Sequence, residues 1–175
     1  MATMHTPKAF YGRTEHSRVL ALKGQVRYMT VRALKGFVDD LLAQDDGEAM
    51  IVDLRELEAI DSTGMGLLAR LGRCTLQHGR RAVIVCGVRD VMTCLRSAAF
   101  DRLFNIVDEW PFDCETTLSE VPLETKELQP DLMGRLILEA HRDLASLSEE
   151  NEQAFAGVIS ALEADLERKG RAIRD

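Results

Sequence analysis

The chain has 175 residues, 46% hydrophobic and 29% charged, the make-up of one ordinary globular domain with a decorated end. Its formal net charge of −7 argues against direct nucleic-acid binding and against an anionic membrane surface. No apolar run reaches membrane-spanning length, Met1 to Pro7 lacks the regions of a signal peptide, and the four cysteines (Cys74, Cys86, Cys94, Cys114) show neither C-x-x-C pairing nor neighbouring histidines, so a reduced, cytoplasmic protein without structural zinc, disulfides, metal or cofactor is expected.

Ala9–Tyr11 and Arg18–Leu22 read as short strands joined through Gly12 and a polar run, with Gly24 breaking the second. From Thr30 the period changes. Val31, Leu34, Phe37, Val38, Leu41 and Leu42 mark an amphipathic helix that Asp45-Asp46-Gly47 ends. Met50-Ile51-Val52 is a short apolar run expected for a strand covered on both faces. After a polar bend, Met65, Leu67, Leu68, Leu71 and Leu76 give a second helix, closed by His78-Gly79, with the glycine suited to a left-handed position. Ala82–Cys86 is the next buried strand. A helix carrying Val91, Met92 and Leu95 follows, then a strand over Leu103–Val107 near Trp110. Pro111 stops it, and Asp113–Leu118 reads as a short helix. Alternation of strand and helix favours a mostly parallel sheet with helices packed on it.

Residues 121–130, with Pro122 and Pro130, read as a linker between an α/β domain (1–120) and a helical hairpin (131–175). Leu132, Leu136, Ala140 and Leu144 form the first stripe of the hairpin. Phe155, Val158, Ile159, Leu162 and Leu166 form the second, and Ser146-Leu147-Ser148-Glu149 fits a capping box. The last third is also more acidic, with 7 basic and 12 acidic side chains in residues 121–175.

The junction at Asp61-Ser62-Thr63-Gly64-Met65-Gly66 carries the chemistry. A hydroxyl at a helix N-terminus lies where unpaired N–H groups and the helix dipole favour an anion. Phosphorylation there would replace a neutral cap by a group of roughly −2 charge. Ser62 is also a good helix cap, and the two roles are compatible. Thr63 is the alternative acceptor. Asp61 either caps the helix and holds the bend or meets a partner. Gly64 and Gly66 allow close approach of a backbone, and Met65 is a candidate apolar anchor.

From Met50 to Gly66 the chain resembles the STAS domain of bacterial anti-sigma-factor antagonists. An apolar strand, Asp53-Leu54, a spacer with Leu57, then Ile60-Asp61-Ser62-Thr63-Gly64-Met65-Gly66 follow the family pattern without a gap. The resemblance extends over roughly residues 8–118 by element order. It implies a small mixed or parallel sheet with helices on one side. It also implies binding to an anti-sigma factor, often a serine kinase, which frees a sigma factor for transcription. The kinase would phosphorylate Ser62 and so release the partner, and a metal-dependent serine/threonine phosphatase would restore it. The partner-binding residues implied are Asp61, Ser62, Thr63, Gly64 and Met65. The chain departs from the pattern at Arg27, where an acidic residue is common, and in its hairpin, which lies outside the family core.

Other readings stand beside this one. A serine hydrolase is disfavoured because Ile60 occupies the place of the first glycine in a nucleophile elbow, and no motif positions a histidine as base. His141 is expected to be a surface or hairpin-packing residue. STAS-like domains also serve as scaffold or accessory subunits in signalling and lipid-transport complexes. The hairpin either folds back and buries its stripes on the α/β domain or on each other, the preferred reading, or docks a partner helix or a second copy to form a homodimer.

Overall fold

The computed structural model describes residues 6–44, 47–110, 117–123 and 130–172. β2 (Ser17–Val26) is its spine. On one side it pairs antiparallel with β1 (Lys8–Arg13), which pairs antiparallel with β7 (Ser119–Val121). On the other side it pairs parallel with β3 (Ala49–Asp53), followed by β5 (Ala82–Val85) and β6 (Phe104–Val107). The sheet has seven strands in the order β6-β5-β3-β2-β1-β7, with β4 (Leu57–Ile60) added along the end of β2. Parallel neighbours need crossovers, which helices supply: α1 (Tyr28–Ala43), α2 (Ser62–Gln77) and α3 (Arg89–Ser97).

Strand alternation divides the apolar residues between two faces. Leu20, Leu22, Met50, Val52, Ala82 and Ile84 join the stripes of α1, α2 and α3 in the main core. Val19, Ile51 and Val85 point the other way, under Val83, Val107, Trp110 and Leu118. The helices thus share one side, as the resemblance implies. The far face is closed by Trp110, on which the Arg55 guanidinium lies 4.9 Å from the ring centroid. Arg55 is itself held by both Asp53 oxygens (2.9 and 2.8 Å), which raises its pKa.

A charged residue stands near the start of β2. Arg18 is 1% exposed, and its Nη1 donates to Leu41 O (2.9 Å) and Gln44 O (3.4 Å). These are carbonyls at the end of α1 that have no intrahelical donor. Through Nη1 the guanidinium therefore closes the end of the helix.

Several expectations change. Gly24 does not break β2. With φ of 73° it makes an irregularity between Gly24 and Gln25, and the strand runs on to Val26 to pair with β4. The supposed polar bend before Ser62 therefore contains a strand, Leu57–Ile60, whose only pairing is with that distant extension. Val121, placed in the linker, is instead buried in β7. Of the short helix at Asp113–Leu118, residues 113–116 lie outside the described residues, and Thr117 and Leu118 are not helical. Gly79 does take a left-handed conformation (φ 75°) after α2.

The hairpin consists of α4 (Pro130–Ala145) and α5 (Glu149–Ala172). Ser148 caps α5 by accepting from Asn151 N–H (3.1 Å). The proposed pairing of Ser146 with Glu149 does not form; Ser146 Oγ bonds Asp143 O and Arg73. α4 folds back onto the domain, and Leu136, Leu144 and Leu147 enter the main core.

Candidate functional site

β4 delivers the chain to α2 at Asp61, and Asp61, not Ser62, is the N-cap. Its backbone is extended, and Oδ1 accepts from Gly64 N–H at 2.8 Å. Oδ2 accepts from Tyr28 N–H at 2.7 Å. One carboxylate thus satisfies an orphan donor at the start of each of two helices and ties α1 to α2. Of the two roles expected for Asp61, the geometry supplies the structural one.

Ser62 is the first residue of α2 and is half-buried. Its Oγ lies 3.0 Å from His141 Nε2 on α4. The other ring nitrogen, Nδ1, lies 2.8 Å from Ile137 O. A carbonyl only accepts, so Nδ1 carries a proton, and whenever the ring holds no second proton Nε2 accepts from the Ser62 hydroxyl. The imidazole is 7% exposed and meets the edge of Phe155 from α5, with centroids 5.5 Å apart. Of the two places expected for His141, it takes the one within the hairpin packing and not the surface, and it makes a further contact that was not expected. It joins the hairpin to the serine that the sequence singles out.

The neighbours of Ser62 are placed differently. Thr63 is 3% exposed, so its hydroxyl is not presented at the surface. A side chain at Gly64 would meet Ile60 and Val26 at 2.8 and 3.1 Å, so this glycine lets α2 sit on β4 and β2. Met65 is partly buried and packs against the core. At Gly66, a Cβ would come within 2.6 Å of Ala140 Cα and also strike Ala140 O. This is where α4 crosses α2, close enough that only hydrogen fits.

Ion pairs flank the crossing. Arg70 bonds Glu139 of α4 and Asp39 of α1, the latter at 3.0 Å. Arg73 reaches Asp143 Oδ1 and Asp143 O, each at 2.8 Å, and Ser146 Oγ at 2.6 Å. Burial pushes the Asp143 carboxyl above its ordinary range, against the opposing pull of Arg73. Further along, Arg102 donates to Leu147 O at 2.7 Å. The buried Asn151 amide donates to Ala98 O and Leu144 O, each at 3.0 Å.

Serine beside histidine is also the beginning of a nucleophilic site. The ring, however, is oriented by a carbonyl of its own helix, and the imidazole edge is enclosed by Phe155 and α4 itself. The arrangement fastens α4 to the start of α2. Among the described residues, no group of three or more His, Cys, Asp or Glu is placed to hold a metal ion, and no helix is long and apolar enough to cross a membrane.

Sequence reasoning missed the contact between Ser62 and His141. One signal was present. His141 lies beside the stripe of Leu136, Ala140 and Leu144, and a titratable residue on a buried stripe needs a partner.

Residues 9–108 match the family described as "Mlab, STAS domain". No curated protein matches the chain. Among solved structures, an anti-sigma factor antagonist from Mycobacterium paratuberculosis is similar, with a TM-score of 0.51 and 16% identity. That match covers 62% of this chain and 92% of the other. The unphosphorylated form of the anti-sigma factor antagonist SpoIIAA gives a TM-score of 0.50 at 17% identity, over 58% and 89% of the two chains. The hairpin lies beyond the family match.

Proposed function

This chain belongs to the STAS-domain family, and on that footing we propose that it is an anti-anti-sigma factor switched by phosphorylation. With Ser62 unmodified it sequesters an anti-sigma factor and releases a sigma factor for transcription in the cytoplasm. It acts by binding, without catalysis of its own. A kinase, the anti-sigma factor itself or another protein, moves the γ-phosphoryl group of ATP to Ser62 Oγ. ADP leaves, and the kinase's base takes the hydroxyl proton. A serine/threonine phosphatase hydrolyses the ester. Residues 1–121, to the end of β7, form the STAS unit, 122–130 the connection and 131–175 the hairpin.

The observation that carries this reading is the place of Ser62, half-buried at the first position of α2 directly after its cap. Added phosphate there is favoured by the helix N-terminus. It also removes the only proton that Ser62 Oγ donates and sets an anion beside Asp61. The partner contact is thus changed at its centre. The experiment is a pulldown from the native bacterium with wild-type, Ser62→Ala and Ser62→Asp baits. The expected result is one partner held by the first two and lost by the third. Equal capture by Ser62→Ala and Ser62→Asp would sink the switch.

One observation favours a second reading, a scaffold or accessory subunit. The Ser62 hydroxyl is already engaged by buried His141, so the serine serves to fasten the hairpin. Partners indifferent to position 62 would be the outcome under that reading.

A further inference from the structure

We propose that the face of α2 running from Ser62 to Arg73 is a helix-binding surface, that α4 occupies it in cis, and that the partner which takes it in trans is an acidic amphipathic helix of the same pattern. This rests on reading α2 as the partner-binding helix.

Four features of the face define what fits it. Gly66 admits a helix only where that helix presents a small residue, as Ala140 does. Ser62 needs an acceptor, and His141, the next residue after the small one, supplies it. Arg70 needs a carboxylate just before the small residue, supplied by Glu139. Arg73 needs one three residues after it, supplied by Asp143. The pattern is therefore acidic, small, acceptor, any residue, acidic, read from Glu139 to Asp143. Lys35 on α1, 3.9 Å from Glu139, adds to the positive side of the groove. A basic or bulky helix is rejected by the same elements, through like charges and overlap at Gly66.

The hairpin is an addition to the family unit, since the family match ends at residue 108. Its first helix covers a face that the family unit alone would leave open. Beside the covered face, Tyr28 and Met29 are 45% and 52% exposed at the start of α1. They adjoin the cap through the Tyr28 N–H bond to Asp61. A partner helix longer than α4, or with a loop at its end, gains these two side chains, which α4 leaves in solvent. That is the term by which a trans helix can outweigh the advantage of a tethered one.

The test uses the full chain and a fluorescent synthetic peptide of residues 130–147. In the wild type the face is filled. In the Ala140→Glu chain, bulk and charge at the Gly66 crossing expel α4. The peptide is expected to bind that chain at least tenfold more tightly than the wild type. Adding Arg70→Glu and Arg73→Glu should reverse the gain, and a peptide carrying Ala140→Glu should not bind. Should Ala140→Glu misfold by circular dichroism, the Glu139→Lys, Asp143→Lys chain opens the hairpin through its charges and must give the same tenfold gain. Equal binding to closed and opened chains, or binding indifferent to the two arginines, overturns the proposal. The two readings fail separately. Peptide binding with baits indifferent to position 62 removes the switch and leaves the surface; the converse removes the surface alone.

Discussion

At the scale of single residues, Asp61 and Asp143 show how much depends on what a carboxylate faces. Asp61 accepts one N–H from each of two helix starts. Asp61→Ala leaves both donors without that partner, and a lost cap alone costs about 1 kcal/mol. We expect a total loss of about 1–2 kcal/mol in urea unfolding, with α1 and α2 loosened together. Asp61→Asn should recover part of it, because an amide oxygen still accepts. Asp143 is the opposite case. Burial raises its folded-state pKa despite Arg73, so the folded protein holds that proton more tightly than the unfolded chain does. Its contribution to stability is then present below the ordinary carboxylate range and is lost as pH rises through the raised folded value. Asp143→Asn, which keeps an acceptor without the charge, should be as stable as the wild type or more so at neutral pH. It should also lose that part of the pH dependence in thermal melts. A clear drop in melting temperature at neutral pH for Asp143→Asn would contradict this.

At the scale of elements, α2 is the helix on which two layers meet. Gly72 lies against the Phe104 ring on the sheet side, and Gly66 lies against Ala140 on the hairpin side. In an exposed helix Gly→Ala gains about 1 kcal/mol of propensity. At Gly66 the added methyl strikes backbone, which does not yield as a side-chain tip does, and overpacking costs about 1–3 kcal/mol. Gly66→Ala is therefore expected to be neutral to destabilising, with the damage confined to the hairpin. The measurement is limited proteolysis together with a thermal melt, and faster cleavage within α4 and α5 is the expected result. The elements that sequence periodicity reveals are those with long stripes of their own, α1, α2, α4 and α5. β4 was not legible, because Leu57-Glu58-Ala59-Ile60 gives four residues of weak alternation between charges. Its existence depends on an irregularity at Gly24, more than thirty positions earlier. The start of α2 was legible to within one residue. Which residue caps it was not, since Asp61 and Ser62 are both good caps and it is the extended backbone of Asp61 and its bond from Gly64 N–H that separate them.

At the scale of the whole molecule, the order of strands and helices along residues 8–107 was legible apart from β4, and so was the return of the hairpin to the domain. The site was half legible. The motif at Ser62 lies within one short stretch of chain, whereas its contact with His141 spans 79 positions. No local pattern encodes a contact of that range; it follows from the way α4 is laid across Gly66. The hairpin thus couples to the part of the domain with the most distinctive chemistry, and it does so mainly through α4.

The buried cation of β2 has a consequence for the order in which the molecule assembles. Arg18 sits in the central strand, yet its hydrogen-bond acceptors are carbonyls at the far end of α1. A strand that enters the sheet before that helix end exists would strand a guanidinium in a dry interior, at a cost of several kcal/mol. β2 and α1 are therefore expected to close together, so that the start of the central strand settles as the helix is completed.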